Sequence, residues 1–219
     1  MPPALLFDLD GTLVDTIGLI LGSARHAFAD FDGHRPSDEE WRALIGRPLS
    51  VSLRMFTEDD ESAERLFKRY REYQLQHHDT MVSAYDGMLG ALRDWSAAGH
   101  PLAVVTSKSD WLARKGLELV GMSALFPVLV GCDTCENHKP HPEPVERALA
   151  QLGEAPANAI FVGDSPHDVE SGNAAGVYTI GVSWGAFTSE AMRASGANVV
   201  VDSIGELRAE ISRHSALMK

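Results

Sequence analysis

The apolar run Ala4-Leu5-Leu6-Phe7, followed at once by Asp8-Leu9-Asp10-Gly11, constrains this chain more than any other stretch. Four apolar residues bounded by turn signals read as a short buried strand, and Gly11 marks where it turns. Side chains alternate along an extended chain. Asp8 and Asp10 therefore project the same way at the strand end, and Leu9 points back into the core. Two carboxylates so placed repel each other, and are tolerated when a cation lies between them or one keeps a proton. Either state is chemically useful. One carboxylate can be a nucleophile, as in enzymes that form an aspartyl phosphate, and the other a general acid and base. Asp and Gly also supply ordinary turn chemistry, so the pair alone leaves a solvated turn open. A calcium loop is excluded, because its fifth and sixth positions require Asp or Asn and then Gly, where Thr12 and Leu13 stand.

Beyond Thr16 the pattern is helical as far as about Ser83. Residues 17–31 read as a helix with apolar positions at Leu21, Ala24, Ala27 and Phe28. Residues 32–36 break it. Ser37 then caps a short helix, with Glu40 three residues on as a capping box, and that helix carries Trp41, Leu44 and Ile45. Gly46-Arg47-Pro48 is a turn, and residues 49–56 and 62–77 read as two more helices. His77-His78 reads as a solvated helix end, and Met81, Met88 and Met122 as core filler.

From Tyr85 the character changes. Strands are expected at residues 101–106, 127–131, 159–163 and 177–182, with a short last one at 198–201. Helices are expected at 88–98, 111–120, 143–152, 167–175, 189–194 and 205–213. Such alternation predicts an α/β protein: a doubly wound parallel sheet with helices on both faces, to which the first strand also belongs. Residues 1–15 and 84–219 then make the α/β core, and residues 16–83 an inserted helical cap. Ligands of such sheets bind at the carboxyl ends of the strands.

Charge narrows the partners. The 219 residues include 19 basic and 31 acidic side chains, a formal net charge of −12. A sequence-independent nucleic-acid binder would need a basic footprint, so no nucleic acid is expected. An anionic substrate would have to be drawn in by a metal, a Lys or backbone N–H groups. No run approaches eighteen apolar residues, so no membrane span is expected. The first residues lack the basic region and apolar run of a secretory leader, and two Cys make no disulfide framework. The expectation is a cytoplasmic monomer. Cys132, Cys135, His138 and His141 have ligand chemistry, but zinc sites usually separate their two pairs more widely, and Lys139 lies inside the run.

The strand ends carry the rest of the chemistry. The strand at 101–106 ends in Thr106-Ser107-Lys108, and that at 159–163 in Gly163-Asp164-Ser165-Pro166-His167-Asp168; between them Lys139-Pro140-His141-Pro142-Glu143-Pro144 opens a helix. Each alone has a plain structural reading as a cap, a turn or a surface charge. Together they put acid, hydroxyl, amine and acid at one edge of one sheet, a set that fits phosphoryl transfer. Asp8 would attack phosphorus and share a Mg²⁺ with Asp164. Thr106, Ser107 and nearby N–H groups would bind phosphate oxygens, and Lys139 would neutralise charge. The metal answers a repulsion of roughly 4 kcal/mol between unit charges 4 Å apart at an effective dielectric of 20, and Mg²⁺ favours such partial carboxylate sites.

These motifs resemble, in order and over essentially the whole chain, those of the haloacid dehalogenase superfamily of phosphotransferases. Asp8-Leu9-Asp10-Gly11-Thr12 resembles the first, Thr106 the second, the Lys139 segment the third and the Asp164 segment the fourth. The helical insertion resembles the cap of the phosphoglycolate phosphatase-like group. The resemblance implies that Asp8 is nucleophile and Mg²⁺ ligand. It implies that Asp10 protonates the leaving group, then activates water, and gives its backbone oxygen to the metal. Asp164 would be the third protein ligand, with Asp168 supporting the metal through water or at second hand. Asp10 points to a phosphate ester rather than a haloacid, whose family pattern lacks that acid. Ser107 stands where Asn is frequent, and Tyr85-Asp86-Gly87 replaces a frequent Tyr-Pro-Gly.

Arg47 follows Gly46 in a turn that would close over the site. A planar guanidinium there can hold a carboxylate or second phosphate with two parallel hydrogen bonds. The expected activity is therefore Mg²⁺-dependent hydrolysis of a small phosphomonoester, phosphoglycolate-like or sugar-phosphate-like, through an aspartyl phosphate. A sugar phosphomutase on the same scaffold is the alternative. A signalling receiver domain also uses Mg²⁺, Asp, Thr and Lys, but phosphorylates a middle strand and has no helical insertion.

Overall fold

The computed structural model describes residues 2–217. The first strand, β1 (Ala4–Phe7), is fully buried. A two-residue strand, β2 (Val14–Asp15), leads into four helices, α1 (Ile17–Phe28), α2 (Asp38–Arg42), α3 (Leu49–Arg54) and α4 (Asp60–Met81), and β3 (Ser83–Ala84) leads out of them. Strands and helices then alternate: α5 (Met88–Ala97), β4 (Leu102–Val105), α6 (Asp110–Leu119), β5 (Val128–Val130), α7 (Glu143–Leu152), β6 (Ala159–Gly163), α8 (Pro166–Ala174), β7 (Tyr178–Val182), α9 (Ser189–Ala194), β8 (Val199–Val201) and α10 (Ile204–Leu217).

Six strands form one parallel sheet in the order β5-β4-β1-β6-β7-β8. The chain starts in the middle, runs to one edge, and returns to fill the other. The crevice of such a sheet opens where the order reverses, here between β1 and β6. Alternation along β1 supplies both faces: Leu5 and Phe7 enter one apolar cluster with Leu92 of α5 and Leu117 of α6, and Ala4 and Leu6 enter the other with Val145 and Leu149 of α7. With both faces covered, the strands need unbroken apolar runs, as β1 and β4 have. Fold class is therefore as the sequence predicts.

The four inserted helices build most of a third apolar cluster, on Phe28, Trp41, Leu53, Leu66 and Tyr70, which Ala186 from the segment after β7 also joins. Trp41 packs edge-on to Phe28, ring centroids 5.6 Å apart, and lies 6.0 Å from Tyr70. The expected capping box forms: the Glu40 N–H donates to Ser37 Oγ at 3.2 Å, and the Ser37 N–H donates to Glu40 Oε2 at 2.8 Å. Chain entry and exit are tied by an antiparallel ribbon, Val14 facing Ala84 and Asp15 facing Ser83. Two-residue strands carry no periodicity, so the ribbon is invisible in the sequence. No helix among the described residues is long and apolar enough to cross a membrane.

Some expectations need correction. α1 ends at Phe28, not at 31; the Arg35 guanidinium takes the Ala29 and Phe31 carbonyls at 2.7 Å each. α4 starts earlier than expected, since Asp59 accepts from the Ser62 N–H at 2.7 Å, and it runs on to Met81. Its buried stripe is Ala63, Leu66, Tyr70, Gln74 and His78. His78 thus belongs to the packed face instead of a solvated end, with its Nδ1 2.7 Å from Asp79 Oδ1 and 3.2 Å from Lys115 Nζ of α6. The next place in the stripe is Val82, which is buried, and Met81 is turned outward, 38% exposed. Met88 and Met122 are core residues as expected.

If the inserted helices are held by their own aromatic core, Trp41→Ala should lower stability by about 3–5 kcal/mol. Denaturant unfolding measures this, and a loss below about 1 kcal/mol would contradict the role given to Trp41.

Candidate active site

Asp8 is the first residue past β1, yet its backbone is still locked, its N–H donating to Val162 O at 2.9 Å. Thr106 is placed alike after β4, its N–H donating to Val130 O at 2.9 Å. The sheet's hydrogen-bond ladder therefore fixes the positions of both side chains. Lys139 reaches them from the segment before α7. Its Nζ donates to Asp8 Oδ1 at 2.8 Å, to Asp168 Oδ1 at 2.5 Å and to Val105 O at 3.2 Å. Three acceptors match the three protons of an ammonium. Burial disfavours the charged Lys139, but Asp168 and Asp8 overcome that and hold it above the ordinary lysine range. Asp168 is a helix-capping residue as well: its Oδ2 accepts from the Ser165 N–H at 3.0 Å and Oγ–H at 2.6 Å.

Asp164, after β6, is held by two other donors. Thr12 Oγ1 donates to its Oδ1 at 3.1 Å, and the Ala186 N–H to its Oδ2 at 2.7 Å. Two glycines make the room. A Cβ on Gly11, where φ is 84°, or on Gly185 would each come within 2.2 Å of Asp164 Oδ2.

Asp10 points to the same end but joins a different pair of groups. Its Oδ1 accepts from Thr16 Oγ1 at 2.7 Å and from Lys108 Nζ at 2.5 Å. Asp10, Thr106, Ser107 and Lys108 line one pocket with Asp8, Gly46, Arg47, Arg71 and Gln74. The pocket's volume is about 80 Å³. By the measure in which a single water needs roughly 10–15 Å³, it has room for a ligand of a few heavy atoms. Thr106 Oγ1 accepts from the Lys108 N–H at 3.2 Å, which leaves its own proton free for a ligand.

The loop from the inserted helices does reach this site. Ser107 Oγ donates to Gly46 O at 2.6 Å. Gly46 has φ 98°, and a Cβ there would lie 2.7 Å from Ser165 Oγ, so no other residue fits this approach without strain. Arg47 Nε donates to His167 Nε2 at 3.1 Å, and its NH1 lies 3.7 Å from Met55 Sδ. Burial first, and then the Arg47 guanidinium, holds His167 below the ordinary histidine range, which suits a neutral acceptor. Arg47 is thus at the pocket wall as expected, with one donor already committed to the loop after β6.

All the residues expected at the site are brought to this end of the sheet, while the Cys132 and Cys135 thiols are free. Sequence reasoning passed over Lys108, Arg71 and Gln74, and the holding roles of Thr12 and Thr16. Lys108 could have been found, being two residues past Thr106 at a strand end. Arg71 and Gln74 lie in mid-helix, where only the fold reveals which face meets the pocket.

Asp8, Asp164 and Asp168 each offer a carboxylate oxygen within 4.8 Å of the others, all buried. Burial, opposed by Lys139 and reinforced by Asp168, pushes Asp8 up from 3.8 to about 7. Asp164 is raised well above the usual carboxylate range by burial, Asp8 and Asp168. Converging buried oxygens short of positive charge fit a hard divalent cation such as Mg²⁺. The Asp10 carboxylate is outside this trio, so any share it has in a metal falls to its backbone oxygen.

The profile of haloacid dehalogenase-like hydrolases matches residues 5–182, and the chain belongs to that family. It is an enzyme, a hydrolase. The pyrophosphatase PpaX of Bacillus pumilus (strain SAFR-032) is 38% identical over 187 residues, which cover 85% of this chain and 86% of the relative. Among solved structures, a predicted phosphatase from Clostridium acetobutylicum is 28% identical with a TM-score of 0.86, covering 97% of this chain and 100% of that one. The β-phosphoglucomutase of Clostridium difficile matches with a TM-score of 0.85 over 100% of this chain and 99% of that one; at 22% identity it shows the fold alone.

Asp8 makes stability depend on pH. Between 3.8 and about 7 the folded protein holds a proton on Asp8 that the unfolded chain has released. Its contribution is full below the unfolded value and is lost as pH rises through the folded one. In the metal-free protein the contribution of this group should therefore be smaller at pH 8 than at pH 5. Mg²⁺ competes with that proton, so it should raise Tm more at pH 8 than at pH 5. Thermal scans with and without Mg²⁺ test this; an equal shift at both pH values, or none, would contradict the metal site.

Proposed function

We propose that this hydrolase releases phosphate from a small, doubly anionic phosphorylated metabolite, with inorganic pyrophosphate the foremost candidate, using Mg²⁺ and a covalent phosphate on Asp8. The observation that carries the reading is the placing of Asp8: one oxygen is held by Lys139 at 2.8 Å, and the other has no hydrogen-bond partner among the described residues. A carboxylate anchored at one oxygen and free at the other is oriented for attack.

In this reading Asp8 attacks phosphorus, and the bond from phosphorus to the leaving oxygen breaks. Asp10 gives that oxygen a proton. Asp10, now a carboxylate, takes a proton from water as the water attacks the phosphorus of the acyl phosphate. Phosphate leaves and Asp8 is restored. Thr106 donates its free hydroxyl proton to a phosphoryl oxygen, and Lys139 balances charge that moves between Asp8 and the phosphoryl group. Lys108, paired with Asp10 at 2.5 Å, and Thr16 hold the acid–base carboxylate towards the leaving group. Asp8, Asp164 and the backbone oxygen of Asp10 would hold a Mg²⁺, which would supply charge screening between an anionic nucleophile and an anionic substrate. Asp168 serves by fixing Lys139, since both its oxygens are occupied.

Residues 16–83 act as the cap, moving on the ribbon of β2 and β3 and excluding water when the Gly46 loop seats against Ser107. The relatives named pyrophosphatase support hydrolysis in place of transfer to a sugar, and the small pocket supports a small leaving group. Phosphate release from pyrophosphate and from a panel of small phosphate esters, with Mg²⁺ and then with excess chelator, tests the reading. Asp8→Asn should abolish turnover while the fold is kept, because an amide is not a nucleophile at useful rate. Turnover within roughly tenfold of the native enzyme, or full activity in chelator, would overturn it.

A further inference from the structure

We propose that Arg71, oriented by Gln74, is the residue that grips a second anionic group on the substrate's leaving side, so that this residue and not Arg47 sets the preference for doubly anionic substrates. The inference rests on the reading that the pocket carries out phosphoryl transfer, and it goes further by naming what selects the leaving group.

The pocket holds three cations, Arg47, Arg71 and Lys108, and they are not equally free. Lys108 is paired with Asp10 at 2.5 Å, with its side chain 6% exposed. Arg47 has Nε committed to His167. Arg71 makes no ion pair among the described residues; its NH1 donates to Gln74 Oε1 at 2.5 Å. Among the other cations of α4, Lys68 pairs with Glu64 at 3.0 Å and Arg69 with Asp30 at 3.1 Å, while Arg65 is exposed and reaches only Ser62 Oγ. Arg71 is the one turned inward without one. Burial draws its pKa down, the direction expected of a guanidinium short of counter-charge. A guanidinium offers five N–H donors in a planar fork that matches an oxyanion, and one carbonyl oxygen uses only one of them.

The fork is also held in place. Arg71 and Gln74 lie one turn apart on α4, so they share a face of the helix. Gln74 is 3% exposed, and its amide nitrogen has no hydrogen-bond partner among the described residues. That leaves it a donor at the pocket wall beside Arg71. The Phe67 ring lies under the guanidinium, 5.2 Å from centroid to Cζ, which restricts its plane. A cation fixed by a ring and an amide, with most donors unused, is built for an anion that arrives from outside. The pocket's volume of about 80 Å³ keeps that anion close to the scissile phosphoryl group. A second phosphoryl group joined directly to the first meets this condition.

The test compares inorganic pyrophosphate with p-nitrophenyl phosphate, which carries no second anion. The readout is the ratio of the two kcat/KM values, in the native enzyme, Arg71→Ala, Arg71→Lys and Arg47→Ala. Arg71→Ala should lower the pyrophosphate-to-aryl ratio by at least roughly tenfold, the scale of a lost charge-assisted hydrogen bond, chiefly by raising KM for pyrophosphate. Arg71→Lys should recover part of the ratio, since charge is kept and the fork is lost. A ratio unchanged in Arg71→Ala, or one that falls more in Arg47→Ala, would overturn the proposal. Native enzyme that releases phosphate from neither compound, nor from any of the panel of small phosphate esters, would instead sink the phosphohydrolase reading, and the inference with it.

Discussion

Three carboxylates, Asp8, Asp164 and Asp168, meet in the interior at the reversal point of a parallel sheet, and among the described residues the Lys139 ammonium is the one cation bonded into the trio. The rest of the site depends on this ion pair. A buried charge with its partner removed costs about 3–5 kcal/mol, so Lys139 is a condition of the fold as well as of the proposed chemistry. Even with it, Asp8 and Asp164 sit above their ordinary range, burial and mutual repulsion winning over one ammonium. That residual excess of negative charge is what a divalent cation can relieve.

The second dependence is on close approach. Asp164 fits because Gly11 and Gly185 have no side chains, and the loop from the inserted helices fits because Gly46 has none. The contacts of that loop, Ser107 to Gly46 and Arg47 to His167, are few and polar. Lys115 with Asp79 and His78 makes a further tie between α6 and the end of α4. Apolar packing crosses the boundary as well: Leu19 of α1 and Tyr73 of α4 join the core cluster, and Ala186 joins the cluster of the inserted helices. In the proposed reading selectivity falls to whatever the inserted helices present to the pocket, α4 above all.

Much of the core could be read from the residues. Strand-end motifs are legible because they combine an apolar run with a polar residue at a fixed offset, as at Phe7-Asp8, Val105-Thr106 and Gly163-Asp164, and because a parallel sheet brings all its carboxyl ends to one edge. The Ser37–Glu40 capping box was legible for a similar reason, being local. What could not be read depends on which way a helix faces. His78 and Met81 are exchanged between inside and outside because α4 continues past residue 77, and Arg71 and Gln74 look like any polar residues of a long helix until α4 is laid over the pocket. The β2–β3 ribbon is too short to have a period. Arg47 was found from its turn, but its partner His167 is 120 residues away, and no sequence spacing forecasts that contact.

The account stands on Asp8 as the group that accepts phosphorus. The most direct measurement is to mix the enzyme with Mg²⁺ and labelled substrate, quench in acid within one turnover, and map the label by peptide. The account predicts an acid-stable, hydroxylamine-labile phosphate on the peptide holding Asp8. Label that never becomes covalent, while phosphate is released at the full rate, would contradict it, as would a covalent phosphate on any other residue.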